Sequence, residues 1–569
     1  MDPESAYEFG PFRLDPHRRV LWRGGELVPL TPKALALLLA LVEQGGEVVP
    51  KADLLARVWP DTVVEEANLG VTVAALRKAL GNQPDGRSYI QTVPRRGYRF
   101  DASVRRPVSS SRIALGVLPF RSLGPVPEPH LGLGMADALI RRLTASEELL
   151  VRPTGAVMAH ARESWTPEQA AEALGVDAVV DGTLQRDRGR VRLSVQLVPR
   201  GGRVKPWAES FDADYTDIFS VQDAVADRVA RALRARLESP AKARPAPGRR
   251  PVVEAYEAYL RGRYLWTRLD PAGVVQAASC FVEAAALDPA YAAPHAGLAD
   301  AHVLSAFAGL VEPMEAWRQA GECVARALEL DPTLPEAHVS AGFVALFRDW
   351  DWAGARRALE QALALAPGAP AIQMWNGLLL AAGGDAEGAR REIARAREAD
   401  PTSVFASAIQ AVVHEITGEH ERQIEVARLA VELWPDRFLA HWGLGVACVL
   451  GGRGADGIAA LRRAVELTEG SPALRGVLAW ALAATGLAGE ARSLLAELEP
   501  SALSPYRRAA VLLALGEREA ALDQLEVAAA ARDPWIVFLG VDPALAGLRG
   551  EARHDALLAR IHASSGPRG

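Results

Sequence analysis

Between Asn68 and Arg96 the sequence places four cations and one side-chain amide where they could hold a polyanion. Arg77 and Lys78 stand on a segment whose apolar residues, Leu69, Val73, Leu76 and Leu80, recur at spacings of four, three and four. That spacing predicts a helix with one buried stripe, and Gly81 is the residue type that stops such a helix. Ile90 and Val93 then precede a tight turn over Pro94 to Gly97, and Tyr98 and Phe100 follow it, which predicts a two-stranded ribbon with Arg95 and Arg96 at its tip. Cations in such places neutralise phosphates, whereas base edges are read by the helix face between them. On a helical wheel that face is Val71, Ala74, Ala75 and Lys78, with Asn68 and Arg77 on its rims and Thr72 beside it. The expected contacts to double-stranded DNA are therefore Asn68, Val71, Thr72, Ala75, Arg77, Lys78, Arg95 and Arg96.

The elements that must carry these residues precede them. FGPFRLDPHRRVLWRGGELVPL alternates, with turns at Asp15-Pro16 and Gly24-Gly25, and predicts a small antiparallel sheet. Thr31 with Pro32 caps and opens a helix to about Gln44, which Gly45-Gly46 ends. Pro50 opens a second helix, KADLLARVW, closed by Pro60, and a loop from Asp61 to Glu66 leads into the third. Sheet, three helices and terminal hairpin, in that order, predict a winged helix-turn-helix over residues 1–104.

The strings TPKALALLLAL, LLARVWPD, ANLGVTVAALRKALG and YIQTVPRRGYRF resemble the OmpR/PhoB-type DNA-binding domain of transcription regulators, across nearly all of residues 6–103. The resemblance implies that the third helix enters the major groove and that the hairpin touches the minor groove or phosphates. Members of that family commonly carry arginine where this chain has Ala74 and Ala75. The alanines remove guanidinium contacts worth ~1–3 kcal/mol each and shift specificity to thymine methyls, to Asn68 and to indirect readout.

Composition sets limits. The chain has 569 residues, enough for two to four domains, and its 49% hydrophobic and 24% charged content is that of ordinary globular protein. A formal net charge of −6 is the wrong sign for coating nucleic acid throughout, so any DNA contact is local. Around the helix and ribbon, Arg77, Lys78, Arg87, Arg95, Arg96 and Arg99 outnumber Glu65, Glu66, Asp85 and Asp101. Cys280, Cys323 and Cys448 lie far apart and are expected as buried apolar side chains. MDPESAYEFG has neither basic flank nor long apolar run, so no signal peptide is expected. The longest apolar run, Ala34 to Val42, is half a membrane span, and no transmembrane segment is expected. A phosphate-binding lysine loop, paired Cys-x-x-Cys, HExxH and a nucleophile elbow are all missing. His295 and His302 are seven apart without a third ligand type nearby. No catalytic residue, cofactor or metal is expected.

Arg105 to Ser111 is a polar linker. Residues 112–239 predict a mixed α/β module: a buried strand IALGVLPF, a Gly/Pro-rich loop, helices over Met135 to Thr144 and Pro167 to Leu174, a hairpin turning at Asp187–Gly189, a strand WAESFDAD and a closing helix. VLPF, LGVDAVVDGTLQ, RVRLSVQLV, WAESFD and DIFSVQDAVADRVARAL resemble the TolB-N-like domain of bacterial regulators, which implies ligand or protein binding and no catalysis. GLGMAD only partly matches a dinucleotide-binding glycine motif, because the third glycine is absent.

Pro240 to Pro251 is a second linker, rich in proline and basic residues. Beyond it, runs ending at Pro289, Pro332, Pro367, Pro401 and Pro435 are 43, 35, 34 and 34 residues apart, with a stretched member at Pro472. Five residues before the first five prolines stand Ala284, Ala327, Ala362, Ala396 and Ala430. Twelve before them stand Ala277, Ala320, Ala355 and Ala389, with Gln423 departing. A period near 34 with small residues at fixed offsets is the tetratricopeptide signature, and about seven or eight hairpins fit between Val252 and Ala563. The first interval implies an insertion around Phe307 to Pro313. RDPWIVFLGVDPALAGLRGEARHDALLARI breaks the register and reads as a cap with Trp535, Phe538 and Leu539 in its core. Trp350, Trp352, Trp375, Trp434 and Trp442 suit either superhelix packing or a partner groove.

The fold class expected is multidomain and mainly α: an N-terminal winged helix, a central mixed α/β module and a C-terminal α-solenoid. The functional expectation is a cytoplasmic bacterial transcriptional regulator that is not an enzyme. Its partners are double-stranded DNA and a protein or peptide held by the repeats, with RNA polymerase and a second copy of the chain as further partners, and no membrane. The alternative is a repeat scaffold whose winged helix makes protein contacts.

Overall fold

A computed structural model of the chain describes residues 7–16, 20–23, 26–59, 66–83, 86–94, 96–104, 113–123, 128–144, 149–152, 154, 157, 166–200, 204–234, 249–266, 271–309, 311–366, 369–399, 404–499 and 502–563. Arg95, the Gly24-Gly25 turn, the loop before the third helix, the first linker and most of the second lie outside the described residues.

The chain opens with four antiparallel strands in sequence order, β1 (Tyr7–Phe9), β2 (Phe12–Asp15), β3 (Val20–Arg23) and β4 (Glu26–Val28). Helix α1 (Pro32–Glu43) starts where the Thr31 hydroxyl accepts from the Ala34 amide at 3.1 Å. A short strand β5 (Val48–Pro50) leads into α2 (Lys51–Val58), and then comes α3 (Glu66–Leu80). The final hairpin is β6 (Ile90–Val93) and β7 (Gly97–Phe100), with β7 in the middle of a three-stranded sheet beside β5. Gly97 sits at φ +154°, and a Cβ there would stand 1.9 Å from the Val49 carbonyl oxygen, so only glycine allows β5 to pair. The core joins the first sheet to the hairpin through Phe9, Phe12, Tyr89 and Phe100, with Phe9 and Phe100 rings edge-on at 4.8 Å.

The middle module is one mixed sheet in the order β10, β8, β11, β12, β13, with β9 pairing β11. Its strands are β8 (Ile113–Val117), β9 (Arg121–Ser122), β10 (Leu149–Val151), β11 (Ala178–Asp187), β12 (Arg190–Pro199) and β13 (Trp207–Asp214). The helices are α4 (Pro129–Thr144), α5 (Pro167–Leu174) and α6 (Ile218–Arg234). Helix α4 begins six residues before the expected Met135, so GLGMAD is helical. A Cβ on Gly132 would stand 1.9 Å from the Phe120 carbonyl oxygen, and one on Gly134 would stand 2.2 Å from Leu260. Close packing explains both glycines. Leu260, Tyr256, Tyr259 and Phe281 belong to the first repeat hairpin, yet they share one hydrophobic cluster with the module. Gln222 of α6 donates to the Tyr256 hydroxyl at 2.9 Å, so the core runs across the position of the second linker.

Eight helical hairpins follow among the described residues, over 253–287, 292–330, 335–365, 370–399, 404–433, 438–467, 472–496 and 505–530. The periodic alanines are buried, from Ala277 and Ala284 through Ala389 and Ala396. Burying a small residue at these offsets lets paired helices approach. The 43-residue interval does not contain a loop insertion. Its helices, Ala292–Ala308 and Pro313–Leu330, are 17 and 18 residues long against 13 and 14 for Pro370–Ala382 and Ala386–Ala399, so about one turn is added to each. The reason is packing: Phe307, carried by the added turn, sets its ring edge-on at 5.0 Å from Phe347 and 5.4 Å from Trp535.

That last contact belongs to a closure. The C-terminal segment, short helical turns at Pro534–Phe538 and Pro543–Leu548 and a helix Ala552–Ala563, folds back on the second and third hairpins. Trp317 Nε1 donates to the Arg532 carbonyl at 2.9 Å, and Trp352 Nε1 to the Ile561 carbonyl at 3.0 Å. The Arg532 guanidinium lies 3.4 Å from the centre of the Trp350 ring. Phe538 and Leu539 are buried, as a cap core requires. Trp350 and Trp434 are buried, and Trp375 packs edge-on to Phe343 at 4.6 Å, so these tryptophans serve packing.

Candidate nucleic-acid interface

Helix α3 exists because Leu69, Val73, Leu76 and Leu80 are buried against α1, α2 and the hairpin. That fixes which side faces solvent. Asn68, Val71, Ala74, Ala75 and Lys78 are exposed, and Thr72 is half-buried. The Thr72 hydroxyl donates to the Asn68 carbonyl at 2.8 Å, one turn back, which commits its proton to the helix. Val71 is 70% exposed, and it lies beside exposed Ala74 and Ala75 on the same face.

Arg77 occupies a different position from Lys78. Its Nε and Nη2 donate to the Ile90 carbonyl at 3.0 and 2.8 Å, and Nη2 also reaches the Thr92 hydroxyl at 2.8 Å. The guanidinium therefore ties α3 to β6. The Gly81 amide donates to the Arg77 carbonyl at 2.9 Å, so the same residue anchors the end of the helix. At the opposite end Lys51 of α2 pairs with Glu66, and Arg57 pairs with Glu43 at 2.7 Å, holding α2 against its neighbours. Arg23 of β3 donates to the Ala79 carbonyl.

The positive field is narrower than the residue count. Asp101 accepts from Arg87 at 3.3 Å and from Arg99 at 3.2 Å, and Gln91 bridges the same carboxylate at 2.6 Å. Lys78 and Arg96 are exposed, and among the described residues neither side chain has an ion-pair or hydrogen-bond partner. Among the described residues this surface thus offers two unpaired cations, Lys78 on the helix and Arg96 beside the hairpin tip, flanking an apolar patch. The Arg77 latch is the part that spacing could not reveal, because its acceptor is a main-chain carbonyl brought near only by the fold.

Residues 25–100 match the family model described as "Transcriptional regulatory protein, C terminal". This segment is an OmpR/PhoB-type DNA-binding domain. Two tetratricopeptide models match residues 346–412 and 424–472, within the hairpin array. Transcriptional regulator HilA of Salmonella typhimurium is 25% identical over 404 residues, 68% of this chain and 69% of that one. Putative adenylate cyclase 3 of Rhizobium meliloti is 27% identical over 195 residues, 34% of this chain and 33% of that one. Transcriptional regulatory protein CutR of Streptomyces coelicolor is 41% identical over 88 residues, 15% of this chain and 39% of that one. Within the matched segment α3 is the third helix and β6–β7 the terminal hairpin. Among the described residues no helix is long and apolar enough to cross a membrane, and no cluster of His, Cys, Asp or Glu could hold a metal ion.

Proposed function

We propose that the chain is a bacterial transcription regulator that holds promoter DNA with α3 and the wing and takes a protein or peptide signal through its repeats. The observation that carries this reading is the exposed face of α3, fixed by a buried stripe and flanked by unpaired Lys78 and Arg96, inside a segment matching regulator DNA-binding domains. Lys78, Arg96 and Arg95 grip phosphates; Asn68, Val71, Thr72 and Ala75 face the bases; Arg77 positions the wing. The functional units are 1–104, 112–239 and 252–569, with the middle unit a TolB-N-like adaptor that carries no catalysis. A cytoplasmic location, a homodimer and contact with RNA polymerase belong to the same proposal, since one small module makes only a modest interface with DNA.

The test is binding of the full chain to promoter-length duplexes across a salt series. Affinity is expected to fall steeply with salt. Lys78→Ala and Arg96→Ala should each weaken binding on every sequence and reduce the salt slope by about one. Affinity indifferent to salt and to both substitutions would leave the scaffold reading, which the scarcity of unpaired cations on α3 otherwise favours.

A further inference from the structure

Val71, at 70% the most exposed large apolar side chain among the described residues, stands at the centre of the face that α3 turns away from its core. One turn on, Ala74 and Ala75 are also exposed, so no longer side chain screens it. The arginine of this helix is drawn off the face by the Ile90 carbonyl and the Thr92 hydroxyl. The Thr72 hydroxyl proton is spent on the Asn68 carbonyl. What remains between Asn68 and Lys78 is apolar surface, and the one apolar group a base pair shows in the major groove is the thymine 5-methyl.

We propose that Val71, with Ala74 and Ala75, selects DNA by contact with the methyl groups of two adjacent thymines; this rests on the reading of α3 as the recognition helix. The length fits. Residues 71 and 74, one turn apart on this face, are about 4.5 Å apart along the helix axis, of the order of the single base step of ~3.4 Å between adjacent thymines. Lys78 lies one turn further, where a phosphate would bound the patch, and Asn68 one turn back, where its amide can pair an adenine edge.

The experiment starts from the full chain and a pool of random-sequence duplexes. The enriched site is remade with deoxyuridine at each thymine in turn, which deletes the methyl and keeps the base pair. Two neighbouring positions are expected to lose about fourfold in affinity each, the size of one buried methyl, and the others to stay within twofold. Val71→Ala, a change at an exposed position, should erase most of that penalty while the variant keeps its salt slope. An enriched site that tolerates uracil everywhere overturns the methyl readout alone, as does a Val71→Ala protein that keeps the full penalty. A pool with no enriched duplex overturns the regulator reading and this assignment with it.

Discussion

Arg77 and Lys78 are neighbours in sequence with opposite duties. Lys78 points to solvent, while Arg77 spends its guanidinium on the Ile90 carbonyl and the Thr92 hydroxyl and so sets the angle between α3 and the wing. Arg77→Ala should cost about 1–3 kcal/mol through that lost latch. Arg77→Lys should not rescue it, because an ammonium cannot span both acceptors as the planar fork does. Faster amide exchange at Ile90–Val93 in both variants would report the loss, and protection equal to wild type would rule the latch out. Gly97→Ala is expected to do more damage, about 2–5 kcal/mol, since a Cβ would collide with the Val49 carbonyl in a backbone conformation that strains any side chain. Thermal unfolding of the N-terminal unit reads that change directly.

At the level of elements, the buried stripe of α3 and the Thr31 cap that opens α1 were readable, because each follows from the type and spacing of neighbouring residues. The start of α4 was not. Gly132 and Gly134 have the composition of a loop, and their helical role depends on Phe120 and Leu260, which arrive from elsewhere in the fold. The Phe307 region shows the same limit, because extra residues can lengthen a helix as easily as a loop. Where the repeat departs from alanine, at Gln423, the side chain is buried and donates to Glu415 at 3.3 Å. Burial, and then the nearby Asp542 carboxylate, push the Glu415 carboxyl up to about 8. The folded state therefore holds a proton that the unfolded chain releases near 4.5, so this contribution is full below that pH and is lost as pH rises through about 8. The urea midpoint of the wild type should fall with pH across this window more steeply than that of Glu415→Gln. Parallel curves would remove Glu415 from the account.

Across the whole molecule two joins bind the parts. The middle module and the first hairpin share a core through Tyr256, Tyr259 and Leu260, and Arg186 of β11 pairs with Glu257 at 2.5 Å. A displacement of the first hairpin would thus reach the middle module through packed side chains. The second join is the return of the C-terminal segment to Trp317 and Trp352, which no period in the sequence announces. Deleting residues 533–569 should expose Phe307, Phe343 and Phe347, raise binding of a hydrophobic dye and open the second and third hairpins to protease. A truncated chain as resistant as the full one would show that the closure holds nothing. The closure also sets a clock on biosynthesis. The first half of the array emerges from the ribosome with its aromatic face uncovered, and the covering segment follows some two hundred residues later, roughly 10–40 s at ordinary elongation rates. During that interval the nascent chain offers chaperones a hydrophobic surface that the finished protein hides.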